Sequence, residues 1–199
     1  MRLRALAVLS ALIGTFLFVA SPAEAATYRG DSDQVQRIRA TTTPGIAQIT
    51  YTGDGYFSLW GLDRAGTEKQ LLASATEPFK GVAVYNADSG DRLAGLKVTA
   101  DGPWTIRLLP LSKARSWSVT TSGNGSDVLR LSKPSSGFHA LRIRHTGDGY
   151  FSVWALDARG KRSNLIASKA GAYKGSTPLP AGTKYVAINA DGPWTIVRR

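Results

Sequence analysis

Two stretches of this chain recur almost unchanged. Thr52-Gly53-Asp54-Gly55-Tyr56-Phe57-Ser58-Leu59-Trp60 returns as Thr146-Gly147-Asp148-Gly149-Tyr150-Phe151-Ser152-Val153-Trp154. Ala100-Asp101-Gly102-Pro103-Trp104-Thr105-Ile106 returns as Ala190-Asp191-Gly192-Pro193-Trp194-Thr195-Ile196. The first match runs without a gap from residues 32–81 to 126–175 at an offset of 94, and the closing match sits at an offset of 90. Copy one therefore carries four extra residues between Gly81 and Ala100, and residues 86–91 read as the enlarged loop. Each copy must be one folding unit. Two units of roughly 75–90 residues are long enough for thin independent cores, and fit paired domains better than a solenoid.

The N-terminus reads as an export signal. Met1-Arg2-Leu3-Arg4 is basic, residues 5–20 are apolar, and Ser21-Pro22-Ala23-Glu24-Ala25 ends in a small-Xaa-small cleavage pattern. The expectation is a signal peptide over residues 1–25 and a secreted mature chain from Ala26. No spanning segment is expected in the mature chain. The sequence contains no cysteine. The modules must then hold by packing rather than by disulfides, and thiol catalysis and cysteine zinc sites are excluded.

Apolar and polar residues alternate in short runs after Ala26, with Gly and Pro clusters between them, so the chain reads as all-β. Residues 140–144 alternate, with Leu141 and Ile143 inward and Arg142 and Arg144 outward; Ala47, Ile49, Gln48 and Thr50 follow the same plan in copy one. Thr-Gly-Asp-Gly reads as a tight hairpin turn in which glycine supplies a positive φ. Residues 56–62 and 150–156 are bulky on both faces and read as central strands. Residues 116–120 read as the strand that opens copy two. Six or seven strands per copy lead to two tandem β-sandwich, jelly-roll-like modules. Residues 26–113 form the first and 114–199 the second, joined by a short linker at 112–115.

The order Gly-Xaa-Gly-Xaa-Asp-Val, Thr-Gly-Asp-Gly-Xaa-Phe-Ser-Val-Trp, Leu-Asp-Xaa-Xaa-Gly, Gly-Xaa-Tyr-Lys-Gly and Ala-Asp-Gly-Pro-Trp-Thr-Ile spans residues 123–196. It resembles a repeat of secreted actinobacterial and related proteins, a largely uncharacterised family. Copy one departs from it at residues 30–35 and 77–81. The resemblance implies a β-sandwich and export, and brings no catalytic residue.

Removal of the leader leaves 23 basic and 13 acidic residues, a net of +10. Residues 46–111 carry 6 basic and 7 acidic side chains, whereas residues 137–199 carry 10 and 3. A nearly neutral module beside one of net +7 attracts polyanions in a salt-dependent way. Outside a cell these are envelope polymers and glycans, anionic headgroups and stray nucleic acid; no specific nucleic-acid recognition is expected. Arg142 and Arg144 are the sharpest part of this basic surface, and Lys161, Arg162, Lys169, Lys174 and Lys184 are candidates to join them.

Trp60 and Trp154 are read in two ways: as core, or as sugar-stacking residues on a sandwich face. Trp104 and Trp194, after a turn, read as core. His139 and His145, the only histidines, lack histidine counterparts in copy one and read as exposed strand residues. Asp54, Asp63, Asp101, Asp148, Asp157 and Asp191 read as turn residues rather than calcium ligands, since EF-hand spacing is absent. No Gly-Xaa-Ser-Xaa-Gly elbow occurs, and only Glu68 and Glu77 remain as glutamates after the leader. The sequence therefore points to a non-catalytic binding or surface-associated protein without cofactor or metal. Two other readings are a carbohydrate-binding module and a protein-binding inhibitor with a protruding loop near residues 86–95.

Overall fold

The computed structural model describes residues 25–199; the expected signal peptide lies almost wholly outside them. Copy one contains β1 (Ala26–Gly30), β2 (Gln34–Thr41), β3 (Gly45–Tyr51), β4 (Phe57–Leu62), β5 (Glu68–Ala75), β6 (Phe79–Tyr85), β7 (Leu93–Ala100) and β8 (Trp104–Pro110). A single 3-10 turn, Leu111–Lys113, leads into β9 (Arg115–Trp117). Copy two follows with β10 (Thr120–Asn124), β11 (Asp127–Leu131), β12 (His139–His145), β13 (Tyr150–Leu156), β14 (Arg162–Ala170), β15 (Tyr173–Leu179), β16 (Tyr185–Asn189) and β17 (Pro193–Arg198). Among the described residues no helix is long and apolar enough to cross a membrane.

The protein is all-β, with four sheets forming two sandwich modules. In copy one the sheets run β1-β8-β3-β6 and β2-β7-β4-β5; in copy two they run β10-β17-β12-β15 and β14-β13-β16-β11-β9. Each copy thus has eight strands in jelly-roll order, one or two more than the periodicity indicates. β9 is an addition, pairing parallel to β11 at the sheet edge. The expected strand at 116–120 is in fact broken: Trp117 ends β9, and Thr120 starts β10 in the opposite sheet. As expected, β4 and β13 are interior strands of their sheets.

The jelly-roll order overturns one sequence expectation. β3 and β4 belong to different sheets, so Thr52-Gly53-Asp54-Gly55 is a crossing between sheets, not a hairpin. Ala-Asp-Gly-Pro, between β7 and β8, is a second crossing. The two repeated motifs lie against each other: Thr52 donates its N–H to the Pro103 carbonyl (2.9 Å) and Tyr56 donates its N–H to Asp101 Oδ2 (2.9 Å). In copy two Thr146 donates likewise to Pro193 (3.0 Å), and Gly149 to Asp191 Oδ2. Gly53, Gly55, Gly147 and Gly149 all keep ordinary negative φ. Their role is close approach: a Cβ on Gly102 would lie 2.7 Å from Gly53 Cα. The Asp-Xaa-Xaa-Gly turns are hairpins as read. Asp63 Oδ1 accepts the N–H groups of Ala65 (2.8 Å) and Thr67 (2.9 Å), and Asp157 Oδ1 those of Arg159 (2.8 Å) and Lys161 (2.9 Å). Gly66 and Gly160 each sit at φ 83°.

Each module has its own core. Ile49, Tyr51, Phe57, Leu59, Leu96 and Ile106 fill the first; Leu129, Leu141, Ile143, Phe151, Val153 and Ile196 fill the second. A third cluster lies between the modules. Ile46, Ala87, Leu109 and Leu111 of copy one meet Val128, Leu156, Tyr185 and Ala187 of copy two, and Ala114 of the junction joins them. Here the outer face of the β1-β8-β3-β6 sheet stacks on the outer face of the five-stranded sheet. A Leu or Ile fully buried contributes about 1.5–3 kcal/mol, so the seam is a packed core rather than a loose contact. The enlarged loop of copy one joins this seam through Asn86, Ala87 and Asp88, while Ser89 and Gly90 at its tip stay exposed. Lys161 Nζ donates to the carbonyls of Asn86 (2.6 Å) and Asp88 (3.0 Å), Arg162 N–H to Ala87 (2.9 Å), and the Arg162 guanidinium pairs with Asp88 (2.7 Å). Leu111 and Ala114 are buried in this seam, leaving only Ser112 and Lys113 exposed between them.

Candidate functional site

The alternation of β12 places Leu141 and Ile143 in the core and leaves Arg142 and Arg144 exposed. Two residues along an antiparallel strand separate them by about 7 Å. Register decides which other cations join. Arg144 stands opposite Lys174 on β15, and Arg142 opposite Ser176; on the other side they face Thr195 and Val197 of β17. Lys174 is exposed, and cross-strand Cβ atoms lie about 4.5–5.5 Å apart. Among the described residues none of the three forms an ion pair with a carboxylate. Like charges directly opposite destabilise a sheet, so a bound anion would relieve the Arg144–Lys174 repulsion.

The other basic candidates lie elsewhere. Lys161 and Arg162 are committed to the seam. Lys184 Nζ donates to the Ser132 carbonyl (2.6 Å), and Lys169 sits on β14 of the opposite sheet.

The two repeated tryptophan pairs have separate fates. Trp104 and Trp194 are core, donating their indole N–H to the carbonyls of Ser32 (2.9 Å) and Gly125 (2.8 Å). Trp60 and Trp154 are both half-buried. Trp154 packs against the inter-module cluster with the Arg162 guanidinium 5.1 Å from its ring centroid, so one face is already covered. Trp60 lies on the free outer face of copy one, between Leu71 of β5 and Lys97 of β7. Glu68, at the position of Arg162, binds Lys97 there (2.6 Å).

His145 corrects the expectation of an exposed strand residue. It is 1 % exposed and occupies the place of Tyr51. Tyr51 stacks on Phe57 with ring centroids 4.8 Å apart, and His145 stacks on Phe151 at 4.5 Å. His145 Nε2 lies 3.0 Å from Asp191 Oδ1, off the line of a hydrogen bond. His139 is half-buried, with Nδ1 3.3 Å from the Arg199 carbonyl. Partial burial pushes the Asp191 carboxyl up. The N–H of Gly149, its own N–H, the His145 imidazole and the Asp148 N–H outweigh that and hold it below the usual carboxylate range. A carboxyl lowered by folding stabilises the fold above its unfolded value, and that contribution vanishes as pH falls through the folded value. With a side chain 40 % exposed the contribution is small. Asp191→Asn is expected to lose less stability than the parent between neutral pH and about pH 3, as read by urea midpoints. Equal losses would contradict the assignment.

A cleft of about 780 Å³ opens at the seam, lined by the β5–β6 segment of copy one and by residues of copy two that include Tyr150, Trp154 and Asn189. Sequence reading did not anticipate it.

No family model matches the chain, and no curated protein matches it. Among solved structures it is similar to PBSX exported protein XepA, at 8% identity over 92% of this chain and 87% of that one, with a TM-score of 0.27. It is also similar to a conserved protein of unknown function from Pseudomonas aeruginosa PAO1, at 15% identity over 88% and 80%, with a TM-score of 0.25. Likenesses this distant carry no argument about what the chain binds.

Proposed function

We propose that the protein is a non-catalytic, extracellular binding protein whose second module holds an anionic polymer of the cell envelope. The observation that carries this reading is the exposed sheet face on which Arg142, Arg144 and Lys174 stand together without a carboxylate partner among the described residues. The charge split supports it, since the +7 segment of 137–199 holds all three residues. A flat, cationic sheet face suits an extended polymer with repeating negative groups better than a compact ligand. Export, supported by the leader sequence, brings the protein to such polymers.

The test is retention on purified cell wall across a salt series. Replacing Arg142 and Arg144 together by Ser removes two exposed charges, each worth about 0.2–1 kcal/mol. Retention should weaken about two- to thirtyfold, and the melting temperature should hold, because neither side chain is in the core. Retention that ignores salt, or a double variant that binds like the parent, would count against the proposal.

A further inference from the structure

We infer that the cleft between the modules is a second binding site, for a short neutral oligosaccharide. It is independent of the basic face. Its volume of about 780 Å³ falls in the ~300–1,000 Å³ range of small-molecule sites. The charged side chains that line it are Glu77, Lys80, Arg162 and Asp191, two of each sign. This balance disfavours the polyanions that suit the Arg142 face.

The remaining lining is amphipathic in the manner of a sugar, whose ring has an apolar C–H face and a rim of hydroxyls. Tyr150 supplies an exposed aromatic ring, and Trp154, Phe79 and the exposed Leu71 line the cleft beside it. Asn124 and Asn189 supply amides at the rim. Asn124, Glu77 and Lys80 make no internal side-chain hydrogen bond or ion pair among the described residues, so their polar groups are free for a ligand. The aromatics are held before any ligand arrives. The Tyr150 hydroxyl lies 2.8 Å from Ser168 Oγ, while Arg162, fixed by Asp88, lies over Trp154. Holding a contact residue in its bound position lowers the entropy cost of binding. Tyr150 is still 55% exposed, so the ring remains available.

Copy one repeats Tyr56 and Trp60 but builds no such cleft, because Glu68 replaces Arg162 and no second module covers that face. The site therefore exists only in the tandem.

The test titrates the full chain with chitotetraose, cellotetraose, xylotetraose and maltotetraose in about 0.5 M salt, where attraction to exposed charges is screened. Tryptophan fluorescence and calorimetry are the readouts. At least one of the four should bind saturably. Tyr150→Ala should weaken that binding about tenfold, the loss typical of truncating an aromatic anchor. Tyr150→Phe should retain most of it, and the Arg142→Ser, Arg144→Ser double variant should leave it unchanged. No binding by any of the four, or a Tyr150→Ala variant that stays folded and binds like the parent, would overturn the inference. Because the double variant reports on the basic face and Tyr150→Ala on the cleft, either assignment can fail alone.

Discussion

Replacing Trp194 with alanine is expected to destabilise the second module by roughly 3–5 kcal/mol, the cost of emptying a large aromatic site in a packed core. Trp194 is 2 % exposed, and a Cβ on Gly123 would collide with its ring. Its indole N–H also ties the final strand to the Gly125 carbonyl, linking β17 to the loop that follows β10. The variant would leave that carbonyl without its donor. For a unit of this size each 1 kcal/mol moves the midpoint by about 4–8 °C, so a fall on the order of 15 °C or more should appear in thermal unfolding. Trp154→Ala, at a half-buried site, should cost distinctly less. If the two variants unfolded at the same temperature, the division between core and seam tryptophans would be wrong.

The second large effect is expected at a residue with no side chain. In Gly192→Ala the new Cβ would stand 2.8 Å from Gly147 Cα and 3.1 Å from its nitrogen. Both are backbone atoms, so no rotamer change can clear them. One of the two inter-sheet crossings must move, breaking the Thr146–Pro193 hydrogen bond that joins them. Overpacking of this kind costs about 1–3 kcal/mol, and Gly102→Ala should repeat it in copy one. Urea midpoints would measure both. An unchanged midpoint in either variant would show that the crossings do not depend on bare backbone contact.

These glycines also mark where sequence reading stopped. A glycine chosen for positive φ and one chosen for lack of bulk look alike in a single sequence, and Thr-Gly-Asp-Gly has the composition of a hairpin turn. The recurrence of both motifs at nearly one offset held the missing signal, because two segments that touch are constrained together. His145 was legible and was misread. The period that turns Leu141 and Ile143 inward places residue 145 on the same face, but residue type suggested exposure and outweighed it. The two-module sandwich followed from the repeat, and the outward pair Arg142 and Arg144 followed from alternation. The partner Lys174 did not, since register between β12 and β15 depends on connections that no local pattern encodes. The seam was hidden for a related reason. Ile46, Val82, Val84 and Leu109 point away from their own core, and a period of two cannot say what covers an outer face.

The stacking of one module on the next has a consequence for growth. The contact is head to tail: one sheet of copy one meets a different sheet of copy two. Such a contact is heterologous, and identical units repeating it would run on into a ring or a filament. The duplicated units are not identical where it matters. Positions held by Ile46, Val82 and Val84 in copy one are Ala140, Ser176 and Pro178 in copy two, and Gln48 and Thr50 become Arg142 and Arg144. A third unit arriving in the same way would partly desolvate two unpaired guanidinium groups, which stand where Gln48 and Thr50 are half-buried in the existing seam. The substitutions that make this face cationic also make it a poorer seat for a further module than its counterpart in copy one.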